Sequence, residues 1–304
     1  MADIAALLLN WRQPELTVQC LRDLVAAAVP GLRIAVIDNG SSDGSVEALE
    51  PAVASANRAG VPTQLLVLQQ NLGFTGGMNV GFEWSKQQRC EFALVLNNDL
   101  RLQPGFLEPL VATLQNDVRV AAVTPTVLYP DGTVWAQGGS LGFCPNALRL
   151  RGNGDRPAPV DSGPESIDFA PGACVLFRLA EVLLVGGFDE SYFMYWEDVD
   201  LSLRLKARGG RVVWLPWVRV THLGGASAGG GRSPLRKYLM AKNSLRFLKT
   251  HGSLKQWIAL LLLDVMSLPV LLVLRPRAFV AKASGLLAGF VGSSSTASDV
   301  TRWA

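Results

Sequence analysis

Short, unbroken apolar runs recur along the first hundred residues, and between them the apolar positions fall at helical spacing. Ile4–Leu9 is one such run and predicts a strand buried on both faces. Over Pro14–Ala28 the residues Leu16, Cys20, Leu21 and Leu24 share one helical face. Arg33–Ile37 predicts the next strand, Val46–Ala59 a helix, Gln64–Leu68 a strand, Asn79–Gln87 a helix and Phe92–Leu96 a further strand. This rhythm predicts an α/β fold with a Rossmann-type, mostly parallel sheet and helices on both faces. Ligands of such sheets collect at the carboxyl ends of the strands, where Asp38 and Asp99 stand.

Past residue 100 the pattern loosens. Gly138–Pro164 is rich in Gly, Pro and polar residues and predicts an excursion or mobile loop. Helical spacing returns at Leu179–Val185 and Asp198–Ala207, and Arg211–Leu215 predicts a strand with a second extended piece before His222. Ala228–Gly231 predicts a flexible loop and Leu235–Lys249 a basic amphipathic helix. Trp257–Leu274 is strongly apolar, close to the roughly 20 residues a bilayer span requires. Asp264 interrupts it, at a cost of about 3 kcal/mol on insertion scales, and Pro269 follows. Basic residues flank both ends (Lys255, then Arg275, Arg277 and Lys282), and a second apolar stretch runs over Gly285–Val291. The expectation is helices lying in one leaflet rather than spanning, with a buried hairpin closing a homodimer as the alternative.

Composition narrows the function classes. With 304 residues there is room for one large α/β domain and an appendage. The chain is 49% hydrophobic and only 17% charged, with a mean hydropathy of +0.25. A net charge of +3 does not imply nucleic acid; the cations gather from Arg204 onward beside the apolar tail, which favours an anionic membrane surface. Cys20, Cys90, Cys144 and Cys174 form no CxxC pair, so neither a zinc site nor a disulfide framework is expected, and a reducing compartment is. Met1-Ala2-Asp3-Ile4 lacks the basic start of a signal peptide, so the expected place is the cytoplasm, at the inner face of the plasma membrane.

Two stretches carry candidate chemistry. Tyr195-Trp196-Glu197-Asp198-Val199-Asp200 packs three carboxylates into four positions at the start of a predicted helix. Leu96-Asn97-Asn98-Asp99 ends a buried strand in polar groups and one acid. A strand-end acid can hold a metal, and crowded acids can supply a base with a raised pKa. Together they suggest metal-assisted chemistry on a phosphate-bearing substrate. Each has a plain alternative: acids are favoured in a helix's first turn, and Asp38 can be a cap. A lone His222 is ordinarily structural.

The motif Val36-Ile37-Asp38-Asn39-Gly40-Ser41-Ser42-Asp43-Gly44-Ser45 resembles the opening of the family 2 inverting glycosyltransferases of the GT-A fold. The resemblance continues through Asn71-Leu72-Gly73-Phe74-Thr75-Gly76-Gly77, Asn97-Asn98-Asp99, Gly172-Ala173, Gly186-Gly187-Phe188-Asp189-Glu190, Glu197-Asp198 and His222, in order, over roughly residues 4 to 250. It implies a catalytic domain over 1–228, with a nucleotide-sugar half at about 1–100 and an acceptor half at about 101–228; the apolar tail makes 229–304 the expected helical, membrane-associating region. It implies donor contacts from Asn10, Asp38, Asn71, Gly73, Gly77, Asn97 and Asn98, with Asp38 accepting from a pyrimidine base and the glycines letting a loop close on the nucleotide. Asp99 and His222 are implied as ligands of Mg2+ or Mn2+, Asp198 as general base beside Glu197, and Trp196, Gly172 and Ala173 as acceptor contacts. Asn97 departs from the family's D-x-D motif, and an N-x-D form points to rhamnosyl transfer, hence to dTDP-L-rhamnose as donor. The expected partners are a nucleoside diphosphate sugar and a glycan or polyprenyl-linked acceptor in cell-envelope polysaccharide synthesis. Two rivals are a non-catalytic sugar-binding subunit on this scaffold and a nucleotidyltransferase; Asn10-Trp11-Arg12-Gln13-Pro14 lacks the Gly-rich loop the latter needs.

Overall fold

The computed structural model describes residues 3–142, 148–159, 161, 163–224 and 233–303. The first half alternates β1 (Ile4–Asn10), α1 (Pro14–Ala26), β2 (Leu32–Asp38), α2 (Ser45–Arg58), β3 (Thr63–Val67), α3 (Gly73–Gln87) and β4 (Phe92–Asn97). Next come β5 (Leu100–Arg101), α4 (Leu107–Asn116), β6 (Val120–Leu128), β7 (Val134–Ala136), β8 (Gly139–Leu141), β9 (Leu148–Leu150) and β10 (Glu165–Ser166). Then follow β11 (Cys174–Arg178), α5 (Leu179–Leu184), α6 (Glu197–Ala207), β12 (Arg211–His222) and α7 (Pro234–His251). The chain closes with α8 (Leu254–Ala259), α9 (Leu268–Leu274), α10 (Pro276–Val291) and α11 (Ala297–Trp303).

Among the described residues ten strands form one sheet with the order β10-β12-β6-β11-β4-β1-β2-β3, β5 and β7 pairing at the side. The run β4-β1-β2-β3 is parallel, β11 is antiparallel to both its neighbours, and β12 runs parallel to β6. Both faces are covered, and β1 shows why its sequence is apolar throughout. Ile4, Ala6 and Leu8 join Leu21, Leu24, Leu49 and Leu110 in one core, whereas Ala5 and Leu7 join Met78, Phe82, Val182 and Leu201 in the other. Burying each large side chain contributes about 2–3 kcal/mol.

Register sets the site. Asn10 pairs with Asp38 and Leu9 with Asn97, so three polar strand ends lie in one row on the carboxyl edge. The predicted pair of extended pieces is a single strand, β12, with a register shift between Leu215 and Arg219. Its last residue, His222, pairs with Leu100 and so arrives beside Asp99.

Two expectations change here. The glycines expected in a nucleotide-closing loop belong to helix α3, which starts at Gly73, six residues earlier than the apolar spacing predicts. A Cβ on Gly77 would lie 2.5 Å from Leu9 Cδ1, and one on Gly81 2.8 Å from Leu7 Cδ1, so these glycines seat the helix directly on β1. The low helix propensity of glycine hides that helix in the sequence. The Gly138–Pro164 excursion is partly regular: β8 and β9 form a two-stranded ribbon. A Cβ on Gly139 would overlap the Phe169 ring, so the ribbon lies flat against the core. The expected Ala228–Gly231 loop lies outside the described residues, as does Cys144; the other three cysteines are buried and unpaired.

The tail folds back on the body. Helix α10 meets α7 through Gly285 and Gly289, where added Cβ atoms would sit 2.3 Å from Tyr238 O and 2.5 Å from Lys242 O. From α11, Asp299 takes bonds from Tyr238 Oη (2.9 Å) and Lys242 Nζ (3.0 Å). Leu254–Leu274, running through α8, a π-helical turn (Leu260–Val265) and α9, is 21 residues long and contains an 18-residue stretch of mean hydropathy 2.5, of which 6% is buried. By length and composition it is able to cross a membrane. Asp264, the expected liability, is paired with Lys282 of α10 at 2.7 Å.

Candidate active site

A cavity of about 410 Å³ opens where β1 and β4 end, bounded across the gap by the start of α6, the end of β12 and the first turns of α7. Its floor is the strand-end row. Asp99 and His222, both buried, face each other with Asp99 Oδ1 2.9 Å from His222 Nε2. The Asn97 amide nitrogen lies 3.4 Å from that ring nitrogen, Trp135 meets the imidazole edge-on at 4.8 Å, and His222 Nδ1 is buried with no partner. A buried carboxylate and an imidazole converging on one point, with an amide beside them, fit a hard divalent ion. Among the described residues no third His, Cys, Asp or Glu joins them, so the remaining ligands would come from substrate or solvent.

Asn10 and Asp38 stand behind the cavity wall rather than on it. Both are fully buried; Asp38 Oδ1 accepts from Asn10 Nδ2 (2.7 Å) and Oδ2 from Ser41 N (2.9 Å), while Asn10 Oδ1 accepts from Thr17 Oγ1 (2.7 Å). Each carboxylate oxygen of Asp38 thus accepts one bond from the protein, and the Oδ2 bond to Ser41 N fixes the β2–α2 turn. Asn39, which sequence reasoning passed over, lines the cavity instead. Its amide donates to Asn71 Oδ1 and Gly73 O (both 3.0 Å) and accepts from Leu72 N (2.9 Å). Asn71 in turn accepts from Gly73 N at 2.8 Å. Gly73 has φ +74° and leaves no room for a Cβ, which would fall 2.5 Å from Phe193 O. Gly77 faces the sheet, not the cavity. Asn98 lines the wall and donates to Thr17 Oγ1 at 3.0 Å.

The opposite wall carries the acids. Asp198 is half-buried, accepting from Gly172 N at 3.0 Å and Val199 N at 2.8 Å. Burial raises its pKa, and the backbone N–H groups of Gly172 and Val199 partly oppose that rise. Glu197 is buried with Oε2 unpartnered, and its pKa is pushed well up by burial first, then by the charges of Asp198 and Asp200. Asp200 is structural: Arg204 and His251 each contact it at 2.7 Å. His251 thus ties the end of α7 to α6. Gly172 and Ala173 line the cavity beside Asp198, but a Cβ on Gly172 would meet Phe74 and Asp198 only at ordinary distances of 3.6–3.7 Å; the visible service of Gly172 is its N–H. Trp196 borders the cavity with 3% exposure and packs on Phe247 at 4.7 Å, so packing accounts for most of its surface.

The approach to these acids is strained. Phe193, Tyr195 and Trp196 have φ of 64°, 71° and 75°, a region that costs a non-glycine residue about 1–3 kcal/mol. One buried side chain spans the segment: Asn243 of α7 donates to Tyr192 O (2.9 Å), Met194 O (2.9 Å) and Tyr195 O (3.0 Å), while Phe193 O accepts from Thr75 N (3.3 Å). An Asn at mid-helix gives no sign of this in the sequence, because its partners lie about fifty residues upstream.

With the site in view, its relatives can be placed. The family model described as glycosyl transferase family 2 matches residues 11–181. An N-acetylglucosaminyl-diphospho-decaprenol L-rhamnosyltransferase of Mycobacterium tuberculosis is 27% identical over 228 residues, covering 66% of this chain and 70% of that one. Among solved structures, GalNAc-T7 with UDP, GalNAc and Mn2+ superposes with a TM-score of 0.66 at 14% identity over 82% of this chain, which spans 48% of its length. The mannosyltransferase PcManGT of Pyrobaculum calidifontis, with GDP-Man and Mn2+, superposes with a TM-score of 0.59 at 16% identity, covering 99% of this chain and 81% of that one. These likenesses give the α/β sheet and its helices the GT-A-like fold.

Proposed function

The chain belongs to glycosyl transferase family 2, and from that premise we propose that it transfers a sugar, with inversion, from a pyrimidine nucleoside diphosphate donor to a glycan or polyprenyl-linked acceptor in cell-envelope polysaccharide synthesis. The observation that carries this reading is the opposition, across one cavity, of the Asp99–His222 pair and Asp198. The L-rhamnosyltransferase relative and the N-x-D sequence Asn97-Asn98-Asp99 favour dTDP-L-rhamnose as the donor.

In this scheme Asp99 and His222 would hold Mg2+ or Mn2+, with Asn97 beside them. The ion, when bound, offsets the negative charge that grows on the leaving diphosphate. Asn39, Asn71 and Asn98 offer hydrogen-bonding groups to the nucleotide side of the cavity, with Asn10 and Asp38 as their support. Asp198 accepts the proton of the acceptor hydroxyl as its oxygen bonds to the anomeric carbon. The carbon–oxygen bond to the diphosphate breaks on the opposite face, and its electron pair leaves with the nucleoside diphosphate. The raised pKa of Asp198 brings a carboxylate closer to the strength such a base needs. Glu197, more deeply buried, sits beside it and shares its charge environment.

The same reading gives residues 1–228 the catalytic work and 229–304 the membrane contact, with α7 serving both. Exposed Val273 (81%) and Leu274 (71%), flanked by Arg275 and Arg277, support a peripheral seat on the inner face of the plasma membrane. Removing the whole tail would strip α10 and α11 from α7, so the sounder probe is Val273→Glu with Leu274→Glu and vesicle flotation. Unchanged flotation would rule out that seat.

The transferase site is tested by calorimetry with UDP, dTDP, GDP and CDP, with and without Mn2+. Metal-dependent binding of dTDP or UDP that disappears in Asp99→Ala is the expected result. No binding of any nucleotide by folded protein would favour a non-catalytic subunit.

A further inference from the structure

A second cavity, of about 580 Å³, opens at the start of α7. It is lined by Pro234 at the start of α7 and by Arg275, Pro276, Arg277 and Ala278 at the start of α10. The next two residues of α7, Leu235 and Arg236, line the active-site cavity. The first turn of α7 is therefore the partition between the two.

The partition is crowded with uncompensated positive charge. Arg236, Lys237, Arg275 and Arg277 gather there, and among the described residues no carboxylate pairs with any of them. Arg236 rests on the Tyr195 ring at 5.8 Å, and Lys282 is already committed to Asp264 at 2.7 Å. Burial, followed by the charges of Lys282, Arg236 and Arg275, lowers the pKa of Lys237, with only Asp264 acting the other way. Neither α7 nor α10 has an acid in its first turn to offset this charge. Like charges held together without a counter-charge repel, and an anion between them removes that cost. Guanidinium groups suit phosphate oxygens in particular, since their fork offers paired N–H donors.

Immediately before Arg275 the chain is apolar and exposed, at Val273 and Leu274. The cation cluster thus adjoins the active-site cavity through the start of α7 and the exposed apolar end of α9 through Arg275. We infer that the cluster at the start of α7 and α10 is a subsite for the diphosphate of a polyprenyl-linked acceptor, holding its sugar towards Asp198 and its lipid along α9. This rests on the transferase reading and adds to it the acceptor's charged group and the residues that hold it. Anionic lipid headgroups share the phosphate chemistry, but the shared partition with the active-site cavity favours the acceptor.

The test uses the full chain in neutral detergent micelles, with dTDP and Mn2+ saturating the nucleotide site. Binding of geranylgeranyl diphosphate is compared with binding of geranylgeraniol by calorimetry. The diphosphate is expected to bind at least about tenfold more tightly, a preference that Arg275→Gln with Arg277→Gln removes while dTDP affinity stays the same. Equal affinity for diphosphate and alcohol overturns the proposal. So does a variant that keeps the preference but loses binding to phosphatidylglycerol vesicles, which would make the cluster a headgroup site. A variant that also loses dTDP overturns it too, since the cations would then serve the nucleotide. Failure of the wild-type protein to bind dTDP strikes the transferase reading instead, and is read separately.

Discussion

The nucleotide-side wall of the cavity, built from the ends of β1, β2 and β4, is held by sheet register and by short bonds among Asn10, Asp38, Asn39 and Asn71. The acid-bearing wall has no such ladder. Its approach, Phe193–Trp196, has three residues in unfavourable backbone conformations and is held by the Asn243 amide of a distant helix and by Thr75 N on Phe193 O. The first wall is rigid because each residue's backbone agrees with its sheet neighbours. The second depends on tertiary contacts that outweigh a local preference, so it is the wall that a single substitution can displace.

Four substitutions sharpen or break this contrast, beginning with the strongest. Asp198→Asn should lower kcat by about 10²–10⁴-fold, the range for loss of a general base, while dTDP binding measured by calorimetry stays intact. Retained turnover would remove Asp198 from the mechanism. Asp99→Ala acts on the other wall: metal-dependent nucleotide binding should disappear, with metal-free binding little changed. Asn243→Asp keeps the size of the side chain but removes its N–H donors. It should destabilise the protein by about 1–3 kcal/mol in denaturant melts and lower kcat more than it weakens dTDP. An equal effect on both would show that the two walls are not separable.

The smallest effect concerns pH. Glu197 has a raised pKa, so the folded protein retains a proton that the unfolded chain releases near the ordinary glutamate value of about 4.3. Stability should therefore fall as pH rises from that value through the raised one, and Glu197→Gln should flatten the decline. Thermal melts from acid to mildly alkaline pH read this directly; a variant with an unchanged slope would place the proton elsewhere.

The same contrast explains what could be read without coordinates. Strands β1 and β4 follow from unbroken apolar runs, because a parallel strand buried on both faces leaves no polar position to confuse the pattern. Helix α3 lost its first turns to glycines chosen for close contact with Leu9 and Leu7, a demand that propensity cannot express. The strand-end acid Asp99 and the late His222 were legible as candidates, and register explains why they meet. The bond between Asn10 and Asp38 was not legible, since a motif names a residue without saying which neighbour it meets. Asn243 and His251 were invisible for a different reason: their partners, Met194, Tyr195 and Asp200, lie about fifty residues away on another element.

Helix α7 joins all of this mechanically. It bears Arg236 in its first turn, Asn243 at its middle and His251 at its end, and the last two grip the segment that presents Glu197 and Asp198. A helix of 18 residues is a stiff rod of about 27 Å. Whatever shifts one of its ends must also move the carbonyls of Met194 and Tyr195 and the carboxylate of Asp200. The acids are therefore geared to the outer rim of the molecule, and a load applied there reaches them within a single rigid part.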